Sequence, residues 1–283
     1  MIDRIRKAVD PFARSLDGIW ELQNELTLFL EHEQWESGIQ DARYSDPKCL
    51  VRFGYRACSQ SDEDGIIAEI LRRIGPGSNV FFEFGVEDGR TNNTLNLLMA
   101  GWKGYWIEGS AEDVERIEKR LESYIASGHL KALNAFITRE NIEELIGRLG
   151  VPSDVDLVSI DIDGNDYWVW ERIESLSPRI VAIEYNATLR PTHSVVMPYN
   201  PKNVWDRTNY FGASLAALVK LGARKGYSLV GCNYTGVNAF FVRNDLLGDR
   251  FLAPYTAEVH YQPARYLRLK CGHPPGAGPY VEV

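Results

Sequence analysis

The chain has 283 residues, 45% of them hydrophobic and 25% charged, with a formal net charge of −8. That length suits one large α/β domain with additions or two small domains, and the acidic balance, with no lysine or arginine run, argues against a nucleic-acid partner. No apolar stretch approaches the roughly 18 residues of a membrane span, and the N-terminus lacks a signal-peptide core. Cys49, Cys58, Cys232 and Cys271 are scattered without a C-x-x-C pair, as reduced thiols of a cytoplasmic protein would be.

Residues 1–58 read as a helical N-terminal cover. Ile19, Leu22, Leu26, Phe29 and Leu30 recur at helical spacing after Asp17, a candidate N-cap. Ser61-Asp-Glu-Asp64 resembles a capping box, with Asp64 at the position of the usual Glu or Gln. Ile66, Ile67, Ile70, Leu71 and Ile74 then form one apolar helix face, which Gly75-Pro76-Gly77 ends.

Val80 to Phe84 is a nearly all-apolar run that ends on a turn, as a strand buried on both faces would. Second, third, fourth and fifth strands are expected at 104–108, 130–137, 155–161 and 180–185, with helices at 111–127 and 140–149. A helix near 213–225 precedes strands at 228–232 and 239–243, whose short connection suits an antiparallel hairpin. The alternation predicts an α/β fold with a mostly parallel seven-stranded sheet, closed by that hairpin, over residues 59–245. Residues 246–283, rich in proline, glycine and aromatics, read as an extended tail packed on the domain.

Three stretches carry candidate chemistry. Glu83, Gly85 and Gly89 make an acid-x-Gly-x-x-x-Gly turn that leads into Thr91-Asn-Asn93-Thr94. The glycines would let backbone approach a nucleotide-like ligand, the N–H groups beyond would receive an anionic group, and Glu83 would offset a cationic one. A tight strand-to-helix turn without a ligand is the alternative. Glu108, followed by Gly109 and Ser110, ends the second strand where an acid can bind both ribose hydroxyls of an adenosine. It could also simply cap the next helix. Asn134, at the end of the third strand, would lie near the adenine.

The next stretch is Asp161-Ile-Asp163-Gly-Asn-Asp166, and the following strand ends on Glu184-Tyr-Asn186. If the fourth strand continues, Asp161 and Asp163 share a face. Asp163, Glu184 and Asn186 would then offer oxygen ligands to Mg²⁺ or another hard cation. The alternatives are that Asp161 orients a cofactor ammonium and that Glu184 binds substrate without a metal. His193 is a candidate base for a hydroxyl nucleophile, or a hydrogen-bonded loop histidine. Tyr199, Trp205, Tyr210 and Phe211, among Asn200, Asn203, Asp206 and Asn209, resemble a carbohydrate-contacting surface, or a loop pinned by its own aromatics.

The glycine turn, Glu108 and the 161–166 stretch resemble motifs of class I S-adenosylmethionine (SAM)-dependent methyltransferases. Ser159-Ile-Asp-Ile-Asp-Gly-Asn-Asp166, followed by Val181-Ala-Ile-Glu184, resembles the FkbM-type family within them, with Asp163 and Asp166 where that family has glutamates. The same acids and Asn186 resemble the cation site of metal-dependent O-methyltransferases of the catechol and macrolide-sugar type. The resemblance implies a Rossmann-like methyltransferase fold and O-methylation of a small molecule, sugar or glycan. It implies Glu83, Gly85, Gly89, Asn93, Glu108, Gly109, Ser110, Asn134 and Asp161 at the cofactor, and Asp161, Asp163, Glu184 and His193 at the chemistry. The rival readings are a nicotinamide-dependent oxidoreductase, against which the missing Gly-x-Gly-x-x-Gly counts, and a non-catalytic partner subunit that keeps the fold.

Overall fold

The computed structural model describes residues 26, 29–30, 32–266 and 272–283. Two units divide the chain, Met1–Asp46 and Pro47–Val283. In the first, residues 32–38 are helical and a 3₁₀ turn spans Ala42–Tyr44, where the Asp41 side chain accepts the Arg43 N–H at 2.9 Å. Leu26, Phe29 and Leu30 are exposed. Asp17, Ile19, Leu22 and Cys271 lie outside the described residues.

The second unit begins ahead of the boundary expected near residue 58 and is built on one seven-stranded sheet. Its strands are β1 (Val80–Phe84), β2 (Lys103–Glu108), β3 (Leu130–Asn134), β4 (Leu157–Ile160), β5 (Ile180–Glu184), β7 (Tyr227–Cys232) and β8 (Asn238–Arg243), in the order β3-β2-β1-β4-β5-β8-β7. β8 pairs antiparallel with both β5 and β7, and the remaining pairs are parallel. The expected closing hairpin therefore inserts one reversed strand at this side of the sheet. A separate two-stranded sheet joins β6 (Val195–Val196) to β9 (Val281–Glu282), so the tail returns to the domain.

Alternation along the strands divides the core between the two sheet faces. Phe82, Phe84, Val158, Ile160, Val181 and Ile183 pack in one cluster with helices Ile142–Leu149 and Leu215–Lys225. Phe81, Leu157, Ile180, Ala182 and Phe240 pack in another with helix Glu63–Ile74. These strands bury both faces, which explains why they read as continuous apolar runs.

The expected capping box at Ser61 does not form. Asp64 instead accepts the N–H groups of Ala57, Cys58 and Ser59 at 2.7–2.8 Å, and Asp62 and Glu63 face the β7–β8 turn. The helix expected over 111–127 is two helices, Ala111–Arg120 and Glu122–Ala126, separated at Leu121 (φ −109°, ψ 26°). Strand β4 ends at Ile160, and a helix absent from the sequence reading follows at Asp166–Arg172. β2 and β3 lie on one side of β1, and β4 and β5 on the other. That reversal opens a crevice beyond the strands' C-terminal ends, where ligands of open α/β sheets bind.

Candidate functional site

Glu83, Glu108, Asp161, Asp163, Asp166 and Glu184 lie at or just beyond this C-terminal edge, and they divide into two groups. Glu83 is buried in β1. Its Oε1 accepts the Asn93 N–H at 2.9 Å, and its Oε2 accepts the Thr94 N–H at 3.1 Å and the Thr94 hydroxyl at 2.6 Å. Asn93 Nδ2 donates to Ser159 Oγ at 3.0 Å, and the Trp106 indole donates to Thr94 Oγ1 at 2.8 Å. Burial pushes the Glu83 carboxyl up to about 7. Glu83 thus clasps the loop onto the sheet, and two N–H groups expected to meet a ligand are already taken. Leu95, the next donor, bonds Asn92 Oδ1 at 3.0 Å, whereas Asn92 Nδ2 is buried without a partner among the described residues.

The glycines serve the same turn. Gly85 has φ +78°, and a Cβ there would lie 1.4 Å from the Asp161 carbonyl oxygen. Gly89 has φ +70°, and its Cβ would come within 3.0 Å of Ile117 and Trp106. Both glycines are demanded by the protein's own packing, a requirement that spacing alone does not distinguish from ligand approach. Glu108 braces the loop from β2: Oε2 accepts the Glu87 N–H and Oε1 the Ser110 N–H, each at 2.8 Å. Burial raises its carboxyl. A carboxylate has about four acceptor positions, and the Gly109 N–H also interacts with this one, so acceptor capacity left for ribose hydroxyls is small. Ser110 caps the following helix through Asp113 N–H, and Asn134 Nδ2 donates to the carbonyls of Glu108 and Gly109 at 2.9 and 3.1 Å. Phe136, just beyond β3, is exposed, and its ring lies 3.6 Å from where a Cβ on Gly109 would stand.

The second group lies at the ends of β4 and β5. Ligand oxygens of Asp161, Asp166 and Glu184 all lie within 4.8 Å of one another. Asp163, expected as a ligand, is not in this set. β4 has ended at Ile160, so the strand alternation that would pair Asp161 with Asp163 does not apply. Asp163 takes φ 55° and Gly164 φ 144°, and the reversed chain brings Asp166 into the cluster. Asp166 is held by the N–H groups of Ile162 and Gly164, each at 2.8 Å. Asn186 is fully engaged elsewhere: Nδ2 donates to the carbonyls of Asn209 and Phe211, and Oδ1 accepts from Thr188. Asp166 stood in the singled-out stretch; only the loop reversal reveals its role.

The electrostatics are those of crowded carboxylates. Burial, then Asp163 and Asp166, push Asp161 well above the carboxylate range; burial, then Asp161, does so for Glu184. Burial and the charge of Asp166 push Asp163 up to about 6. Glu184 Oε2 is shut off from solvent and has no hydrogen-bond partner among the described residues. Such a cluster suits a hard cation, a shared proton or a ligand's donor groups.

His193 is exposed on a turn, its N–H bonded to Arg190 O at 3.0 Å, and no described contact joins its ring to the carboxylates. The aromatic loop is pinned by its own side chains. Tyr199 hydrogen-bonds Glu140, with Arg139 over its ring at 4.4 Å, and Tyr210 donates to Pro279 O at 2.7 Å. Trp205 Nε1 donates to Thr208 O at 2.8 Å. No helix among the described residues is long and apolar enough to cross a membrane.

No protein-family profile and no curated protein matches the chain. Among solved structures, the N-terminal domain of EvdMO1 with SAH bound is 13% identical, covering 73% of this chain and 94% of that one, with a TM-score of 0.42. The glycopeptide N-methyltransferase MtfA complexed with sinefungin is 14% identical, covering 67% and 99%, with a TM-score of 0.40. The methyltransferase domain of bacterial CtHen1 is 15% identical, covering 63% and 94%, with a TM-score of 0.40. Strand order and direction place this chain in the mixed α/β class, with a Rossmann-like, mostly parallel seven-stranded sheet.

Proposed function

We propose that this chain is a SAM-dependent O-methyltransferase acting on a hydroxyl of a small molecule or sugar, assisted by a divalent cation. The observation that carries this reading is the convergence of Asp161, Asp166 and Glu184 at the ends of β4 and β5, across the sheet's switch point from Glu108. Glu108 is assigned to the ribose hydroxyls and Phe136 to the adenine face, with Asn134 bracing them from behind. Asn92 Nδ2, a buried donor without a partner, is assigned to the methionyl carboxylate. Glu83, Gly85, Gly89 and Asn93 shape the loop that carries it.

SAM supplies a methyl group on a cationic sulfonium, and an oxygen nucleophile must approach it in line. Methyl transfer releases the hydroxyl proton, so the acceptor side needs a group that takes it. The three carboxylates fit a divalent cation by donor type, and the unpartnered Glu184 Oε2 is an oxygen awaiting such a partner. When bound, the cation would lower the cost of deprotonating the acceptor hydroxyl. The FkbM-type resemblance agrees with this assignment, because Asp166 falls where that pattern has its second acid. His193, exposed and remote in its contacts, is given no part. The test is calorimetric titration with SAM, S-adenosylhomocysteine (SAH) and NAD⁺, each with and without Mg²⁺. The reading expects SAM and SAH to bind and NAD⁺ not to. NAD⁺ binding without SAM binding would favour the oxidoreductase.

A further inference from the structure

Residues 203–209 form a turn fastened at both ends to the elements that carry the carboxylates. At one end, Asn203 Nδ2 donates to Asp163 O at 3.1 Å, and Asn165 Nδ2 to Asn200 O at 2.7 Å. The approach is close, since a Cβ on Gly164 would lie 2.6 Å from Asn203 Nδ2. At the other end, Asn186, in the continuation of β5 past Glu184, donates to Asn209 O at 2.8 Å. Between these ends the turn holds its own shape. Trp205 Nε1 donates to Thr208 O at 2.8 Å, and Asp206 Oδ1 accepts the Thr208 N–H at 3.0 Å and its hydroxyl at 2.6 Å. The turn therefore borders the cluster of Asp161, Asp166 and Glu184, tied to the chain just past β4 on one side and just past β5 on the other.

Arg207 stands within this turn at φ 65°, a region that asparagine and glycine enter at lower cost. Its side chain is exposed and has no hydrogen bond or ion pair among the described residues. Asp206 is the only acid between residues 186 and 209, and Thr208 occupies it. Lys202, just ahead of the turn, and Arg190, past the end of β5, are also exposed and unpaired among the described residues. Residues 267–271, outside the described residues, hold Arg268 and Lys270 but no acid. A cationic rim thus adjoins an acidic floor, in a chain whose net charge is −8. An arginine that is merely solvated gains nothing from a rigid mounting or a left-handed backbone, and strain of this kind gathers at ligand clamps.

Resting on the O-methyltransferase reading, we infer that the acceptor carries an anionic group, a carboxylate or a phosphate, and that Arg207 grips this group while the acceptor hydroxyl meets the carboxylate cluster. A guanidinium presents paired N–H donors that match two oxygens of either group. Floor and rim of opposite charge also orient such a molecule. Its negative end is drawn to the rim and repelled by the floor, so its hydroxyl end points inward. Arg190 and Lys202 add attraction at longer range, which salt screens.

The test uses the full chain with Mg²⁺, labelled-methyl SAM and three matched sets of acceptors: methyl hexopyranosides, the corresponding uronates, and their phosphate monoesters. One acidic set should be methylated with a kcat/KM about fivefold or more above the neutral set, and the set that leads identifies the group. The advantage should shrink as ionic strength rises. Arg207→Asn should cut the acidic-to-neutral ratio about fivefold, chiefly through the acceptor KM, and Arg207→Lys should keep part of it. Because asparagine suits the positive φ, Arg207→Asn should unfold at an equal or higher urea concentration, which separates a lost contact from a damaged fold. Equal or better use of the neutral set, an unchanged ratio or a lowered urea midpoint in Arg207→Asn, or methylation of none of the three sets by a protein that binds SAH would overturn this inference alone. Failure to bind SAH would overturn the methyltransferase reading and this inference with it.

Discussion

Gly85 stands so close to Asp161 that a side-chain carbon on the glycine would lie 1.4 Å from the aspartate's carbonyl oxygen. The end of β1 and the first residue past β4 are therefore in backbone contact, and that contact sets where the carboxylate cluster begins. With φ +78° as well, Gly85→Ala should destabilise the protein by at least ~2 kcal/mol, from backbone strain and steric displacement together. Denaturant unfolding without ligand measures this. Full stability combined with lost SAH binding would return the glycine to the ligand-facing role that its motif suggests.

The cation site separates two aspartates that look equivalent in sequence. Glu184→Gln should weaken Mg²⁺ or Mn²⁺ binding at least tenfold (about 1.4 kcal/mol) by calorimetry. Asp163→Asn should change it far less, because Asp163 is outside the cluster and asparagine tolerates its positive φ. Affinity should also fall as pH is lowered, and from a higher pH than ordinary carboxylates would give. The raised Asp161 and Glu184 carboxyls hold protons that a cation must displace. Equal losses in both variants would sink this assignment.

Much of the fold is legible in the sequence because these strands bury both faces and announce themselves as apolar runs. The helices Glu63–Ile74 and Ile142–Leu149 likewise present their periodic apolar residues to the two cores. What was not legible depends on where chains bend. Asp161 and Asp163 share a face only if the strand continues, and it stops at Ile160. Asp166 joins them because Asp163 and Gly164 take positive φ, and nothing in residue spacing encodes that reversal. Similarly, Asn186 offers an amide oxygen at the right strand end, yet Thr188 occupies it.

Glu83 should behave as a structural acid rather than a ligand. Its two oxygens face donors: two backbone N–H groups and the hydroxyls of Thr94 and Ser159. In Glu83→Gln an amide NH₂ must face one of those N–H groups, leaving a buried donor unsatisfied at a cost of about 1–3 kcal/mol. Unfolding in urea should show that loss with SAH absent. Unchanged stability would mean that the clasp is not formed in solution.

The same burial makes stability depend on pH. Glu63 is buried, accepting Asn233 Nδ2 at 2.7 Å and Ser61 N–H at 2.8 Å; burial, then the charge of Asp62, push it from an ordinary 4.5 to about 7. Glu83 is raised to the same value. For an acid whose folded pKa exceeds its unfolded one, the folded state binds more protons between the two values. Stability from these groups is therefore fully present below about 4.5, declines as pH rises towards about 7, and is flat above that. The depressed Glu69, held by Arg72 and Arg73, acts oppositely and withdraws stability as pH falls below the ordinary carboxylate range. Buried His260, lowered by burial to about 4, opposes the Glu63 and Glu83 decline by adding stability as pH rises towards about 6.5, so the effect of Glu63 is read from the difference between wild type and variant. Glu63→Gln should flatten the decline between pH 4.5 and 7, because its amide does not titrate, even if it lowers stability at every pH. Urea midpoints measured across that window for the wild type and the variant test this. Parallel curves would mean that Glu63 titrates normally and that its pairing with the β7–β8 turn is looser than the structure shows.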